Sequence, residues 1–156
     1  MKVFLDTSVM IAAFWGDHRD HDASLRVFVE TNRKTAACGI HSLAEVYATM
    51  TALPVRPLLA PEQVLLLVQQ IVERLTTVVL DEAEYLETLS EVAERGFSSG
   101  QVYDALLLAC ARKCQAETIY TWDLKHFRQI APDLAERIRT PRRGPQSVKP
   151  DLRASS

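Results

Sequence analysis

The chain has 156 residues, 47% of them apolar, and a net charge of −2. That length suits one domain with a true hydrophobic core, and no apolar run nears the roughly 20 residues of a membrane span. The opening Met1-Lys2-Val3-Phe4-Leu5-Asp6 meets a charge too early for a signal peptide, so a cytoplasmic location is expected.

Charge is unevenly spread. Residues 141–156 hold Arg142, Arg143, Lys149 and Arg153 against Asp151 alone, a net +3, which leaves −5 on the other 140 residues. An acidic body is not the footprint of a passive nucleic-acid binder. It suits an acidic site filled by a cation. The three cysteines, Cys38, Cys110 and Cys114, are an odd set with no secretion signal, which argues against a disulfide framework. Cys110 and Cys114 have no further His or Cys at metal-motif spacing, so they read as buried small residues.

In chain order, Val3 to Leu5 reads as a buried strand and Thr7 to Phe14 as a brief helix. Asp17 is expected to cap a second helix with Leu25, Phe28 and Val29 inward. Thr35 to Ile40 reads as the second strand, followed by a helix capped by Ser42 and ended by Pro54. Pro61 and Glu62 suit the first turn of a helix that turns Val64, Leu67, Val68, Ile71, Val72 and Leu75 inward. Thr76 to Leu80 is a β-branched third strand. Asp81 caps the next helix, with Tyr85, Leu86, Leu89 and Val92 inward and Gly96 as its stop. Ser98 or Ser99 opens a largely buried helix through Cys114. Glu117 to Thr121 is the fourth strand, a short helix carries Leu124 and Phe127, and Arg137 to Thr140 suits a small edge strand. Residues 141–156 form a basic tail with a disordered composition. Strands alternating with helices imply a parallel sheet covered on both faces, with ligands beyond the carboxyl ends of its strands.

Four acids stand in apolar settings near helix starts or strand ends: Asp6, Glu45, Asp104 and Asp123. Each has a structural alternative of some weight. Ser42-x-x-Glu45 matches a capping box, and the local pattern favours the cap. Asp6 and Asp123 could each cap the helix that follows. Asp104 is harder to explain structurally, since it falls past the first turn of its helix beside the most apolar segment of the chain. An unpaired carboxylate buried there costs several kcal/mol or takes up a proton.

The stretches Val3-Phe4-Leu5-Asp6-Thr7-Ser8, Ser42-Leu43-Ala44-Glu45-Val46, Tyr103-Asp104-Ala105-Leu106-Leu107-Leu108-Ala109 and Ile119-Tyr120-Thr121-Trp122-Asp123-Leu124-Lys125-His126-Phe127 resemble, in order and spacing, the PIN-domain ribonucleases, and particularly the VapC-type toxins of bacterial toxin–antitoxin pairs. The resemblance covers residues 1–140. It implies an α/β fold: a three-layer α/β/α PIN-like domain with a central parallel sheet of four or five strands. It also implies a metal-dependent endoribonuclease that leaves 5′-phosphate and 3′-hydroxyl ends. Asp6, Glu45, Asp104 and Asp123 match the family's acidic metal positions. Thr121 matches a hydroxyl residue that supports the metal's water shell, and Thr7 or Ser8 could do similar work. Several family members carry another acid where this chain has His126, a departure that bears on a second metal.

The implied cofactor is Mg²⁺, with Mn²⁺ as a substitute, because hard cations take carboxylate and water oxygens. Two carboxylates about 4 Å apart repel by roughly 4 kcal/mol at an effective dielectric near 20, so a cation turns preset repulsion into binding. Implied partners are an RNA substrate, a small antitoxin that inserts a C-terminal segment, and a second copy in a homodimer. Arg19, Arg26, Arg33, Lys34, Lys113, Lys125 and the tail arginines are candidate phosphate contacts, although solvated surface charge is the better explanation of any one of them. His18 and His21 are expected at the surface. A non-catalytic PIN-fold module for RNA or protein is the alternative, and retention of all four acids argues against it. A phosphotransfer site at Asp6 is disfavoured, because a second Asp is wanted two residues on and Ser8 stands there.

Overall fold

The computed structural model describes residues 1–144. Five strands, β1 (Val3–Leu5), β2 (Ala36–Gly39), β3 (Thr76–Val78), β4 (Thr118–Tyr120) and β5 (Ile138–Arg139), form one parallel sheet in the order β3-β2-β1-β4-β5. The helices among the described residues are α1 (Thr7–Phe14), α2 (His21–Glu30), α3 (Ile40–Thr51), α4 (Pro61–Arg74), α5 (Glu82–Glu94), α6 (Gln101–Lys113) and α7 (Leu124–Ile130). No described helix is long and apolar enough to cross a membrane.

Two-residue periodicity divides the core into two layers. Phe4, Ala37, Val78, Ile119 and Ile138 face α5, α6 and α7. Leu5, Ala36 and Cys38, with Val3 and Tyr120 at the margin, face α1 to α4. Such strands read as unbroken apolar runs because both faces are covered. Helices on either side of one sheet make the expected three layers. Cys38 and Cys110 are buried and all three cysteines are free; burial pushes the Cys38 thiol up to about 12.

Gly39 fixes the approach of α6 to the sheet. A Cβ there would come 2.6 Å from Leu107 Cδ2 and 3.5 Å from Cys110 Sγ. Both neighbours are buried, so a side chain would push α6, and Asp104 with it, off the end of β2. Gly96 stops α5 as expected, at φ +70°. Its N–H donates to Ala93 O and that of Phe97 to Val92 O, a Schellman closure.

Several expectations are corrected. Helix α2 starts at His21 and not after Asp17, because the chain between turns through His18 and Asp20. Gly39 rather than Ser42 precedes α3, so Ser42 is an interior helical residue, fully buried. Helix α6 starts at Gln101, which puts Asp104 in its first turn and not beyond it. Leu25, Val29, Val72, Tyr85 and Leu86 are exposed rather than inward. α2 packs on α1, and α4 and α5 flank the edge strand β3, so their apolar stripes are wider than the surface beneath them. His18 and His21 are half-buried, and the His21 ring nitrogen lies 2.9 Å from Ala12 O. Of the expected tail, residues 145–156 lie outside the described residues.

Candidate active site

The order β2-β1-β4 sets three strand ends side by side at the carboxyl edge of the sheet. Asp6 follows β1, and its N–H donates to Tyr120 O at 2.9 Å. Only 5% of Asp6 is exposed. Its Oδ1 accepts from Thr7 N–H at 2.7 Å, which makes it the N-cap of α1. Its Oδ2 accepts from Ser8 Oγ at 2.7 Å, Thr121 Oγ1 at 2.8 Å and, more weakly, Ser8 N–H at 3.4 Å. Thr121 Oγ1 also accepts from Asp123 N–H, and Ser8 Oγ from Trp122 N–H, each at 3.0 Å. Two hydroxyls therefore tie the β1 end to the β4 end through one carboxylate. A carboxylate oxygen has two lone-pair sites; Oδ2 is fully used, and Oδ1 keeps one. Burial raises the Asp6 pKa even though hydrogen bonds from Ser8, Thr121 and Thr7 oppose it.

Glu45 does not close the capping box that Ser42-x-x-Glu45 suggests. Since α3 begins at Ile40, Ser42 already lies inside it and Glu45 projects from its second turn. Thr7 Oγ1 lies 2.9 Å from Ser42 Oγ and 3.1 Å from Glu45 Oε1. A hydroxyl has one hydrogen, so Thr7 donates to the carboxylate while Ser42 donates to Thr7. Burial raises the Glu45 pKa, as does the charge of Asp6, while the Thr7 bond and His41 lower it.

Asp104 has no hydrogen-bond donor among the described residues. Its pKa is pushed up to about 7, first by burial, then by the charges of Asp6, Asp123 and Glu45, with His126 pulling the other way. All four acids are thus neighbours in the electrostatic sense. Asp104 feels the charge of each of the other three acids that the sequence singled out.

Asp123 sits at the rim, with 45% of its side chain exposed. It caps α7, accepting from His126 N–H at 3.4 Å, and its Oδ2 lies 2.7 Å from His126 Nδ1. The structural alternative therefore holds for Asp123, and the field it exerts on Asp104 comes in addition. Among the described residues, no group of three or more Asp, Glu, His or Cys side chains is arranged to surround one ion.

The donor set nevertheless fits a hard cation. Every open position is a carboxylate oxygen: Asp104, the second site of Asp6 Oδ1, and Glu45 Oε2, which takes no donor among the described residues. An ion that retains water needs few direct protein ligands. Repulsion centred on Asp104 is what a positive charge would relieve.

Sequence reasoning missed three features. Asp20 is 3% exposed and is held by Arg143 at 2.8 Å and Arg19 at 3.3 Å. Arg143 also lies over the Trp122 ring, whose Nε1 donates to Ser24 Oγ at 2.8 Å. His41 stacks on Tyr103 beside Glu45 and Asp104. Apart from Arg19, which is next to Asp20, each partner lies far away in the sequence and leaves no local signal. Among the expected phosphate contacts, Lys113 is committed to Glu84 at 2.6 Å and Val79 O at 2.9 Å, and Arg33 to the carbonyls of Val72 and Leu75. Lys125 is exposed two residues beyond Asp123.

A family model for the PIN domain matches residues 3–132. Ribonuclease VapC40 of Mycobacterium tuberculosis is 31% identical over 138 residues, covering 86% of this chain and 92% of that protein. Among solved structures, Mycobacterium tuberculosis VapC20, described as a sarcin-ricin loop cleaving toxin, aligns with a TM-score of 0.65 at 13% identity, over 80% of this chain and 92% of that one. VapBC-1 of nontypeable Haemophilus influenzae aligns with a TM-score of 0.61 at 19% identity, over 90% and 98%. At such identities the structural likenesses speak to the fold alone, whereas the family model and VapC40 speak to descent. This chain belongs to the PIN domain family, and its likeness to VapC40 sets it among the VapC-type members.

Proposed function

We propose that this chain is a metal-dependent endoribonuclease that acts as the toxin of a toxin–antitoxin pair. The observation that carries the reading is Asp104, a carboxylate without a donor among the described residues, held at about 7 by burial and by three other acids. Asp6, Glu45, Asp104 and Asp123 would hold Mg²⁺ or Mn²⁺. When bound, the ion supplies positive charge against the phosphate and makes water more acidic, so that hydrolysis of a phosphodiester runs at neutral pH.

The residues divide that work by their surroundings. Asp6 is the fixed member, because four donors leave its carboxylate a single orientation. Thr121 and Ser8 set that orientation and carry no charge themselves. Thr7 does the same for Glu45 from the other side. Asp104 supplies the least compensated charge and gains most from the cation. Asp123 stands at the mouth, where it can act through water while His126 steadies it. Lys125, exposed two residues beyond Asp123, is available to a phosphate at the rim.

The relatives support the biological setting. VapC40 is named a ribonuclease, and a Klebsiella pneumoniae structure that shares this fold over 91% of this chain is a toxin–antitoxin complex. We extend both to this chain, with RNA as substrate and a small antitoxin as inhibitor, and add a homodimer as the proposed working form.

One observation favours the second reading, a PIN-fold module that binds without cutting. Asp123 already has a partner in His126, so one of the four acids is partly compensated without a metal. A single assay separates the two. Labelled RNA is incubated with the protein in Mg²⁺ or Mn²⁺, with chelator, and with Asp104→Ala. Cleavage that needs the ion and vanishes in the variant is expected. Cleavage that survives both treatments removes the metal mechanism, and binding without cleavage in any metal leaves the module.

A further inference from the structure

The rings of His41 and Tyr103 stack with centroids 4.9 Å apart and planes 7° from parallel. They come from different helices, α3 and α6, and each stands next to an acid of the candidate site. His41 is one turn before Glu45, with Nε2 3.9 Å from Oε1, and Tyr103 immediately precedes Asp104. Neither ring belongs to the core. Tyr103 is 46% exposed, and the His41 side chain 37%. Side chains on a surface lose rotamer freedom when held in one arrangement, and this pair is held at the edge of a cluster of carboxylates.

We propose that the His41–Tyr103 pair is a stacking platform for one unpaired nucleobase of the RNA, beside the phosphate to be cut. The proposal deepens the nuclease reading and rests on it. Tyr103 is stacked on His41 and still leaves 46% of its surface open to a ligand. A flat, uncharged, π-rich group fits that surface, and an acidic surround repels the phosphate backbone rather than the base. Stacking on aromatic side chains is how proteins hold single-stranded bases without reading their edges. The platform therefore selects for a base out of its helix, in a loop or an unpaired strand. It is sequence-tolerant by itself, and it sets the distance between the stacked base and Asp104.

The test uses the full chain and a set of hairpin oligoribonucleotides, each with 2-aminopurine at one loop position. Binding is followed by fluorescence in Ca²⁺, and cleavage by gel in Mg²⁺. One loop position is expected to be quenched on binding. Tyr103→Leu should remove that quenching and weaken RNA binding about 5- to 150-fold, the range for loss of one stacked base. The loss should fall on KM more than on kcat, and Tyr103→Phe should restore both. Thermal melting of each variant distinguishes a lost platform from a lost fold. Quenching at no position, or Tyr103→Leu binding as the unsubstituted chain does, overturns the platform. Failure of the nuclease reading shows separately, as RNA left intact in Mg²⁺ whatever the fluorescence does.

Discussion

Two pairs of residues share one local signature and meet opposite fates. Asp81-x-x-Glu84 and Ser42-x-x-Glu45 both carry the spacing of a capping box. At α5 the box closes: Asp81 Oδ1 accepts from Glu84 N–H and Glu84 Oε2 from Asp81 N–H, each at 2.8 Å. Lys113 adds a cation at 2.6 Å, and its hydrogen bond is the main reason the Glu84 pKa is lowered. At α3 the helix begins two residues before Ser42, the box cannot form, and Glu45 turns to Thr7 while its pKa rises. One acid is satisfied by its own helix and a lysine. The other joins Asp6 and Asp104, whose charges the described residues do not neutralise. An acid that the fold leaves uncompensated marks a site, and an acid that completes a cap marks a helix end.

The sharpest way to break that contrast is to remove the hydroxyl that holds Asp6. Thr121→Val keeps the shape and deletes the 2.8 Å bond. Metal affinity, read by titration, and cleavage should each fall roughly 10- to 100-fold, the usual loss for a partner that orients a metal ligand. Unchanged affinity would mean that Asp6 needs no such support.

A smaller effect is expected in stability, and its sign distinguishes the two regions. The folded pKa of Asp104, about 7, lies above its ordinary value of 3.8. Below 3.8 both folded and unfolded chains carry the proton. Between 3.8 and about 7 the folded chain keeps it while the unfolded chain has lost it, so stability falls steadily with pH across that window. The favourable contribution, full below 3.8, is gone once pH has passed about 7. In chelator, Tm should therefore drop as pH rises to about 7 and level off above it, and Asp104→Asn should flatten the drop. The variant should raise Tm at pH 8 by about 2–4 °C, the shift that ~1 kcal/mol produces in a domain of this size. Glu84, with a lowered pKa, behaves in reverse: its contribution is present above 4.5 and is lost on acidification. A wild-type Tm that stays level from pH 6 to 8.5 in chelator would contradict the assignment of Asp104.

The smallest effect sharpens the satisfied side. Asp81→Ala removes an exposed cap, and about 0.5–1 kcal/mol of stability should go with it. RNA cleavage should not change. Altered cleavage in this variant would show that the two acidic regions are coupled.

Much of the site was visible in the primary structure. Asp6 and Asp123 lie where alternating strands and helices put strand ends, and Asp104 stands out as a charge beside Ala105 to Ala111. Glu45 was ambiguous for a physical reason. Whether Ser42 caps a helix depends on where that helix starts, and α3 starts at Ile40, with Gly39 in the cap position. Exposed Tyr85 and Leu86 were misjudged because periodicity gives the width of an apolar stripe, not the extent of the sheet beneath it. Asp20, Arg143 and the His41–Tyr103 stack had no local pattern at all.

By itself, the sequence determined the alternation of elements and the two-sided burial of the strands, and it singled out four candidate acids, because periodicity and burial preference are local properties. Only the tertiary structure decided that β1 lies between β2 and β4 and that Ser8 and Thr121 share the same carboxylate. It also decided that three acids raise the pKa of a fourth. Those outcomes depend on distances between residues up to 115 positions apart, and a distance of that kind exists only once the chain has closed on itself.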